Sequence, residues 1–150
     1  MNFPTVSRGQ ADKGFTVVYN NEGGELIPGV VCEFDLTATT AEQGYYVEKV
    51  DIVVNATTGI AAPLAGVVTN TIATASVGRL QVYGPCAVTV TGTVVAGSVA
   101  VATSAGAAPT AVGITHVAAT TTNVAYAAAA LGVSIEAVSA NQSIVQLQIM

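Results

Sequence analysis

The 150-residue chain has no tryptophan, one histidine and four basic residues, and each shortage removes a class of function. Without clustered lysine and arginine nothing can neutralise a run of phosphates, so nucleic acid is not expected as a partner. The lone His116 falls on a strand-like run, and no nucleophile-elbow pattern or spaced His/Cys set accompanies it. Nucleophilic catalysis needs a nucleophile, a base and an orienting group together, and zinc needs clustered ligands. The acidic pairs Glu33/Asp35 and Glu48/Asp51 also lie on strand-like runs. They read as solvated strand edges, where charge discourages stray pairing, in preference to a hard-cation loop. No enzyme, metal or cofactor is expected.

Charge is scarce and unevenly placed. Arg8, Lys13 and Lys49 stand against eight acidic residues before position 52, and only Arg79 and Glu136 follow. A domain normally keeps about a quarter of its residues charged. The charge-poor remainder is therefore either covered by Thr, Ser, Asn and Gln or buried against other subunits, whose interface cores are depleted in charge. Residues 86–102 and 111–135 are uncharged, but Gly, Thr, Ser and Asn interrupt both, and neither holds the roughly 20 apolar residues of a spanning helix. With few aromatics to form girdles, a membrane barrel is not expected either. Met1-Asn2-Phe3-Pro4 has no basic stretch leading into an apolar core, so synthesis in the cytoplasm is expected, with Cys32 and Cys86 as buried thiols.

What is abundant is Val, Ala, Thr and Gly, with 51% of residues hydrophobic. Val and Thr suit pleated surfaces, and Gly and Pro supply turns, so the composition predicts an all-β fold. Residues 1–14 lack periodicity and carry Phe3, Pro4, Val6, Arg8 and Lys13, the pattern of an extended arm with apolar and basic anchors. Short strands are predicted over 15–19, 30–35, 45–54 and 64–68, then over 98–103, 110–117, 133–138 and 144–149. Loops or turns separate them, and 124–130 reads as a helical turn or an irregular excursion. The central stretch, 77–92, alternates apolar and polar, breaks at Gly84-Pro85 and alternates again. Leu80 and Val82 face one way, and Arg79, Gln81 and Tyr83 the other. Gly-Pro between two such runs predicts a sharp turn or strand edge, hence a central strand pair. Strands every 10–15 residues predict one small β-sandwich or barrel of antiparallel strands over 15–150, preceded by the arm.

The order of small-residue motifs resembles the capsid cement, or decoration, proteins of tailed phages. The residues that carry the resemblance are Ala65-Gly66-Val67, Gly78-Arg79-Leu80-Gln81-Val82-Tyr83-Gly84-Pro85-Cys86, Ala96-Gly97-Ser98-Val99, Gly106, Val112-Gly113-Ile114 and Leu131 to Ala137. They cover roughly residues 64–150. The resemblance implies a non-enzymatic virion protein on the outer capsid surface, partnered by the major capsid protein and by itself. A trimer is favoured over a dimer, clamping neighbouring capsid subunits against internal DNA pressure. Phe3, Pro4, Val6, Arg8 and Lys13 of the arm, with Arg79 and Tyr83, are the expected capsid or subunit contacts. Tyr45-Tyr46 and Tyr83 read equally as interface residues and as half-buried strand tyrosines. A tail-tube or baseplate protein, and a carbohydrate-binding adhesion module, are the alternatives.

Overall fold

The computed structural model describes residues 12–39, 44–50, 63–89, 96, 99–103, 113–117, 130–135 and 142–149. Its described secondary structure is all strand: β1 (Gly14–Asn20), β2 (Val31–Phe34), β3 (Tyr46–Lys49), β4 (Leu64–Val68), β5 (Val77–Thr89), β6 (Val99–Thr103), β7 (Gly113–Val117), β8 (Ala130–Ser134) and β9 (Gln142–Gln148). The ladder runs β1-β3-β2-β4-β5-β9-β8-β6-β7, and β1 also pairs with β5. That extra pairing closes β1, β3, β2, β4 and β5 into a five-stranded barrel, and closure removes the open edges a small sheet would otherwise expose. The other four strands extend outward from the far half of β5.

Alternation decides which side chains enter the barrel. Val18, Cys32, Val47, Ala65, Val68 and Leu80 turn inward from the five strands, and Leu26, Val30 and Ile72 join them from the connections. Leu80, with none of its surface exposed, sits centrally among these branched side chains. Truncating such a residue to alanine leaves a void and costs about 2–5 kcal/mol. Leu26 and Ile72 also exchange both backbone bonds at 2.9 Å, pulling the two loops at one end of the barrel together.

Asn20 seals that end. Its Nδ2 donates to the carbonyls of Gly24, Ile72 and Ala73 at 3.0–3.1 Å, and its Oδ1 accepts the Glu22 N–H at 2.9 Å. One fully buried side chain thus satisfies backbone groups of two loops that are about fifty positions apart in sequence. Asp35 plays the matching part after β2. Its Oδ1 accepts from the Thr37 and Ala38 N–H groups and the Thr37 hydroxyl, and its Oδ2 from Asn21 Nδ2. The Thr37 hydroxyl, then Asn21 and the two backbone donors, outweigh burial and hold the carboxyl below its ordinary pKa. Glu33 and Asp35 are therefore not the solvated strand edge that the sequence predicts: both are buried. A turn-forming aspartate carries its own hydrogen-bond partners indoors, which charge counting does not reveal.

The largest correction concerns β5. Gly84-Pro85 does not turn the chain; the strand runs unbroken through both residues for 13 positions. Its ladder with β9 shows why proline is tolerated. Tyr83 faces Gln148 and Thr89 faces Gln142 in regular register, and Ile149 donates to the Val82 carbonyl at 3.1 Å. Counting on from that bond, positions 84, 86 and 88 are the hydrogen-bonded ones, and Pro85 falls on a position whose nitrogen points away from β9. The missing N–H costs the ladder nothing. Gly84, at φ +88°, adopts a conformation open to glycine, and a β-carbon there would strike the Asp12 carbonyl. The residues that look like a hairpin turn mark the point where one strand passes from the barrel to the extension.

One smaller difference follows. The clean alternation of Val133–Val138 predicts a strand there, and β8, over Ala130–Ser134, starts earlier, at the end of the stretch expected to be irregular; 136–138 lie outside the described residues. Gly132 lets its backbone press against that of Gln146 on β9, fixing the register upstream of the alternation. Residues 118–129, where the helical turn or excursion was expected, lie outside the described residues, as do 1–11 of the expected arm.

Candidate interaction surface

Among the described residues, the outer face of β3, β1 and β5 carries the main concentration of large exposed side chains. Register sets it up. Val17 lies opposite Arg79 and Tyr19 opposite Val77 across β1 and β5, while Tyr19 lies opposite Tyr46 across β1 and β3. Cross-strand partners point to the same side, so these residues form one surface. Phe15 and Tyr83 extend it by alternation. Because Val18 and Leu80 occupy the inward positions, their odd-numbered neighbours must face out.

The exposures are unusual for side chains of this kind: Val77 59%, Val17 55%, Tyr83 50% and Phe15 46%. At one end Tyr19 stacks on Tyr46 with ring centroids 4.6 Å apart, and Tyr45 tilts against both at 6.3 and 5.8 Å. At the other, the Arg79 guanidinium lies 5.6 Å from the centre of the Phe15 ring. Of the eight phenylalanines and tyrosines in the chain, five gather on this face. Stacking holds the tyrosine rings in place, and the cation over Phe15 keeps the arginine extended, so little side-chain freedom remains to be lost on contact. Aromatic residues and arginine, with charge otherwise sparse, are the composition of a protein-interface core.

Two expected contact residues, Arg79 and Tyr83, fall on this surface, and Tyr45-Tyr46 lies at its far end. Lys13 is exposed but sits elsewhere, at the rim of a cavity by the junction of barrel and extension. Phe3, Pro4, Val6 and Arg8 lie outside the described residues. Sequence reasoning missed Phe15, Val17, Tyr19 and Val77 as surface residues. Their alternation was visible, but a short amphipathic strand with apolar residues on both faces does not say which face is inside.

His116 lies on β7 in register with Ala100 of β6. Cys32 and Cys86 are free and buried, as expected. Burial raises the Cys32 thiol far above its ordinary pKa and the Cys86 thiol to about 11, so neither is a thiolate at neutral pH.

No family model matches the chain, and no curated protein matches it in sequence. In three dimensions it is similar to the N-terminal base of the head fibre protein gp8.5 of bacteriophage phi29. The TM-score is 0.55, over 90% of this chain and 95% of that one, at 4% identity. The likeness is one of fold. It extends across both the barrel and the strands that follow it.

Proposed function

We propose that this chain is a structural, non-enzymatic protein of a phage virion that binds the outer surface of the capsid. On this reading it sits there as a small closed oligomer, a trimer in preference to a dimer, and cements neighbouring major capsid subunits against internal pressure. The observation that carries the reading is the aromatic face with Arg79 over Phe15, a preorganised patch on a chain otherwise poor in aromatic residues. The fold likeness to a base that belongs to a phage head fibre supports a capsid-bound setting. The order of small-residue motifs from 64 onward points the same way.

In this picture the aromatic face meets the major capsid protein, the arm of residues 1–14 adds a second contact, and the charge-poor strands associate with their counterparts in neighbouring copies. Repeating a modest contact in each copy gives strong retention, because engaging one site raises the effective concentration at the next. A symmetric interface uses the same patch on each copy, which suits a surface with few charges to mismatch.

The test is co-sedimentation with expanded capsids of the same phage. Wild type is expected to bind at a fixed stoichiometry, and the Arg79→Ala/Tyr83→Ala variant to bind at least tenfold more weakly while retaining its oligomeric state. Removing residues 1–14 is expected to abolish binding and leave the oligomer intact. Absence of wild-type binding would sink the proposal. Tube formation by the purified protein would favour the tail-tube reading, and saturable glycan binding the adhesion reading.

A further inference from the structure

Barrel closure leaves one seam. β1 pairs with β5 from Gly14 to Tyr19, but with β3 only at Tyr19 and Asn20. Asn20 donates its N–H to the Ser76 carbonyl on the β5 side, and Tyr19 donates to the Tyr45 carbonyl on the β3 side, both at 2.9 Å. Alternation from these two bonds assigns the rest of the strand. The N–H and C=O groups of Thr16 and Val18 point to β5, and those of Phe15 and Val17 point the other way. On that side β3 runs parallel to β1 and begins only at Tyr46, because Gly44, at φ +86°, turns the chain as it enters. Among the described residues, nothing pairs with the Phe15 and Val17 backbone across the seam.

Exposure agrees with this gap. Phe15 and Val17 are exposed, and Thr16, on the inward-facing row, is only half-buried where its neighbour Val18 is fully buried. An edge with two unpaired N–H and two unpaired C=O groups, beside exposed apolar side chains, is a template for another strand. The chain's own N-terminal segment approaches from the other side of β1. The Asp12 carbonyl lies against Gly84 of β5, and Lys13 lies beside Cys86 and Ala87.

The seam opens onto the aromatic face, so a strand seated in it continues that surface. Its residue opposite Val17 joins the outward row of Val17 and Arg79. Arg79 is the one charge among the side chains of that face, so a carboxylate is the charge that suits the row. The residues on either side turn inward beside Thr16 and Val18, where β-branched side chains fit a pleated wall. We propose that the open edge of β1 takes up an extended segment of the capsid protein as an added strand, its backbone pairing with Phe15 and Val17 and an acidic side chain facing Arg79. The identity of the partner rests on the capsid reading; the edge itself does not.

The experiment is an NMR titration of the full-length protein with the peptide Ac-Thr-Val-Glu-Val-Thr-NH2. Saturable shifts of the Phe15 and Val17 amides are expected, with slower hydrogen exchange at both. The fully N-methylated peptide, which cannot donate, is expected to bind about tenfold more weakly, and a peptide with Lys in place of Glu several-fold more weakly. Val17→Pro removes an N–H of the open edge and no bond to β5, and should abolish the shifts; Val17→Thr, which keeps the N–H, should not. Absence of saturation would overturn the proposal, and so would equal binding of the N-methylated peptide or binding unchanged in Val17→Pro. Co-sedimentation with capsids separates the two readings. Wild-type binding that survives Val17→Pro overturns this inference alone, whereas a peptide that saturates without any wild-type capsid binding overturns the capsid reading and the partner with it.

Discussion

The two halves of β5 belong to differently built regions. From Val77 to Tyr83 the strand is a barrel stave, paired with β1 and β4. From Tyr83 to Thr89 it is the first strand of an extension that continues through β9, β8, β6 and β7. The barrel side holds the buried anchors Asn20 and Asp35 and the aromatic face; eight of the nine acidic residues of the chain precede position 52. The extension draws on small residues in β6 and β8, with Gln, Ile and Leu on β9, and backbone ladders join its strands. Unique buried polar contacts specify one arrangement, whereas ladders between similar small residues tolerate neighbouring registers more readily. The barrel is thus the part built to be uniquely shaped, and the extension the part suited to repetitive packing.

Breaking the barrel's anchor should have the largest effect. Asn20→Ala removes four hydrogen bonds at once; the Ile72 carbonyl keeps the Leu26 N–H, but the part-buried Gly24 and Ala73 carbonyls and the Glu22 N–H lose the partner that Asn20 supplied. With about 1–3 kcal/mol for each buried polar group left unmatched, partly relieved by water, a loss of about 3–5 kcal/mol is expected. Urea denaturation followed by tyrosine fluorescence, which reports on the Tyr19/Tyr45/Tyr46 cluster, measures it. A loss under about 1 kcal/mol would mean that the two loops are held by the Leu26–Ile72 bridge alone.

Gly84→Ala addresses the joint between the regions. A β-carbon there meets the Asp12 carbonyl in a backbone conformation that alanine resists, for an expected cost of about 1–3 kcal/mol. The cost should fall unevenly. Hydrogen exchange is expected to quicken at Cys86, Val88 and Val145, while Val18 and Leu80 keep their protection. Uniform loss would show that barrel and extension unfold as one unit and would erase the distinction drawn above. Gly23→Ala, where a β-carbon meets nothing within 4 Å, is the neutral control.

Most strand positions were legible in the sequence, because a period of two survives even in a composition this plain. The alternation of 77–83 puts Leu80 on the face opposite Arg79 and Tyr83, and the unbroken apolar run Leu64–Val68 declares a buried strand. What was not legible depends on partners distant in the chain. Pro85 looks like a terminator until β9 is known to pair with it in the register that ignores its nitrogen. Asp35 looks like surface until Thr37 and Asn21 are seen to supply its donors. The aromatic face was half visible: Arg79 and Tyr83 stood out by rarity, but Phe15, Val17 and Tyr19 join them only once β1 closes the barrel against β5.

Acid should reveal the barrel's second anchor. The Asp35 carboxyl is held below its ordinary value of 3.8, so the folded state favours its ionised form. Its contribution is complete above the unfolded-state value and is lost as pH falls below about 3.8 and through the lower folded pKa. Asp35→Asn should therefore be less stable than wild type at neutral pH, and the two curves should converge at the acid end. Parallel curves across that range would show that Thr37 and Asn21 bind a neutral amide as well as a carboxylate.

The smallest effect on folding should come from Arg79→Ala, which makes it the sharpest separation of surface from scaffold. The side chain is exposed, and a cation over an aromatic ring at such a site is worth about 0.5–1 kcal/mol. Val17 opposite it and Val77 on the same row remain in place. A double-mutant cycle with Phe15→Ala should return a coupling no larger than that, measured by urea denaturation. In capsid binding the same substitution should cost more than it does in folding, because an arginine displaced from an interface core leaves its partner group desolvated and unmatched. If stability falls by over 2 kcal/mol while binding is unchanged, Arg79 belongs to the scaffold, and the aromatic face loses its claim to be the side of the barrel that meets a partner.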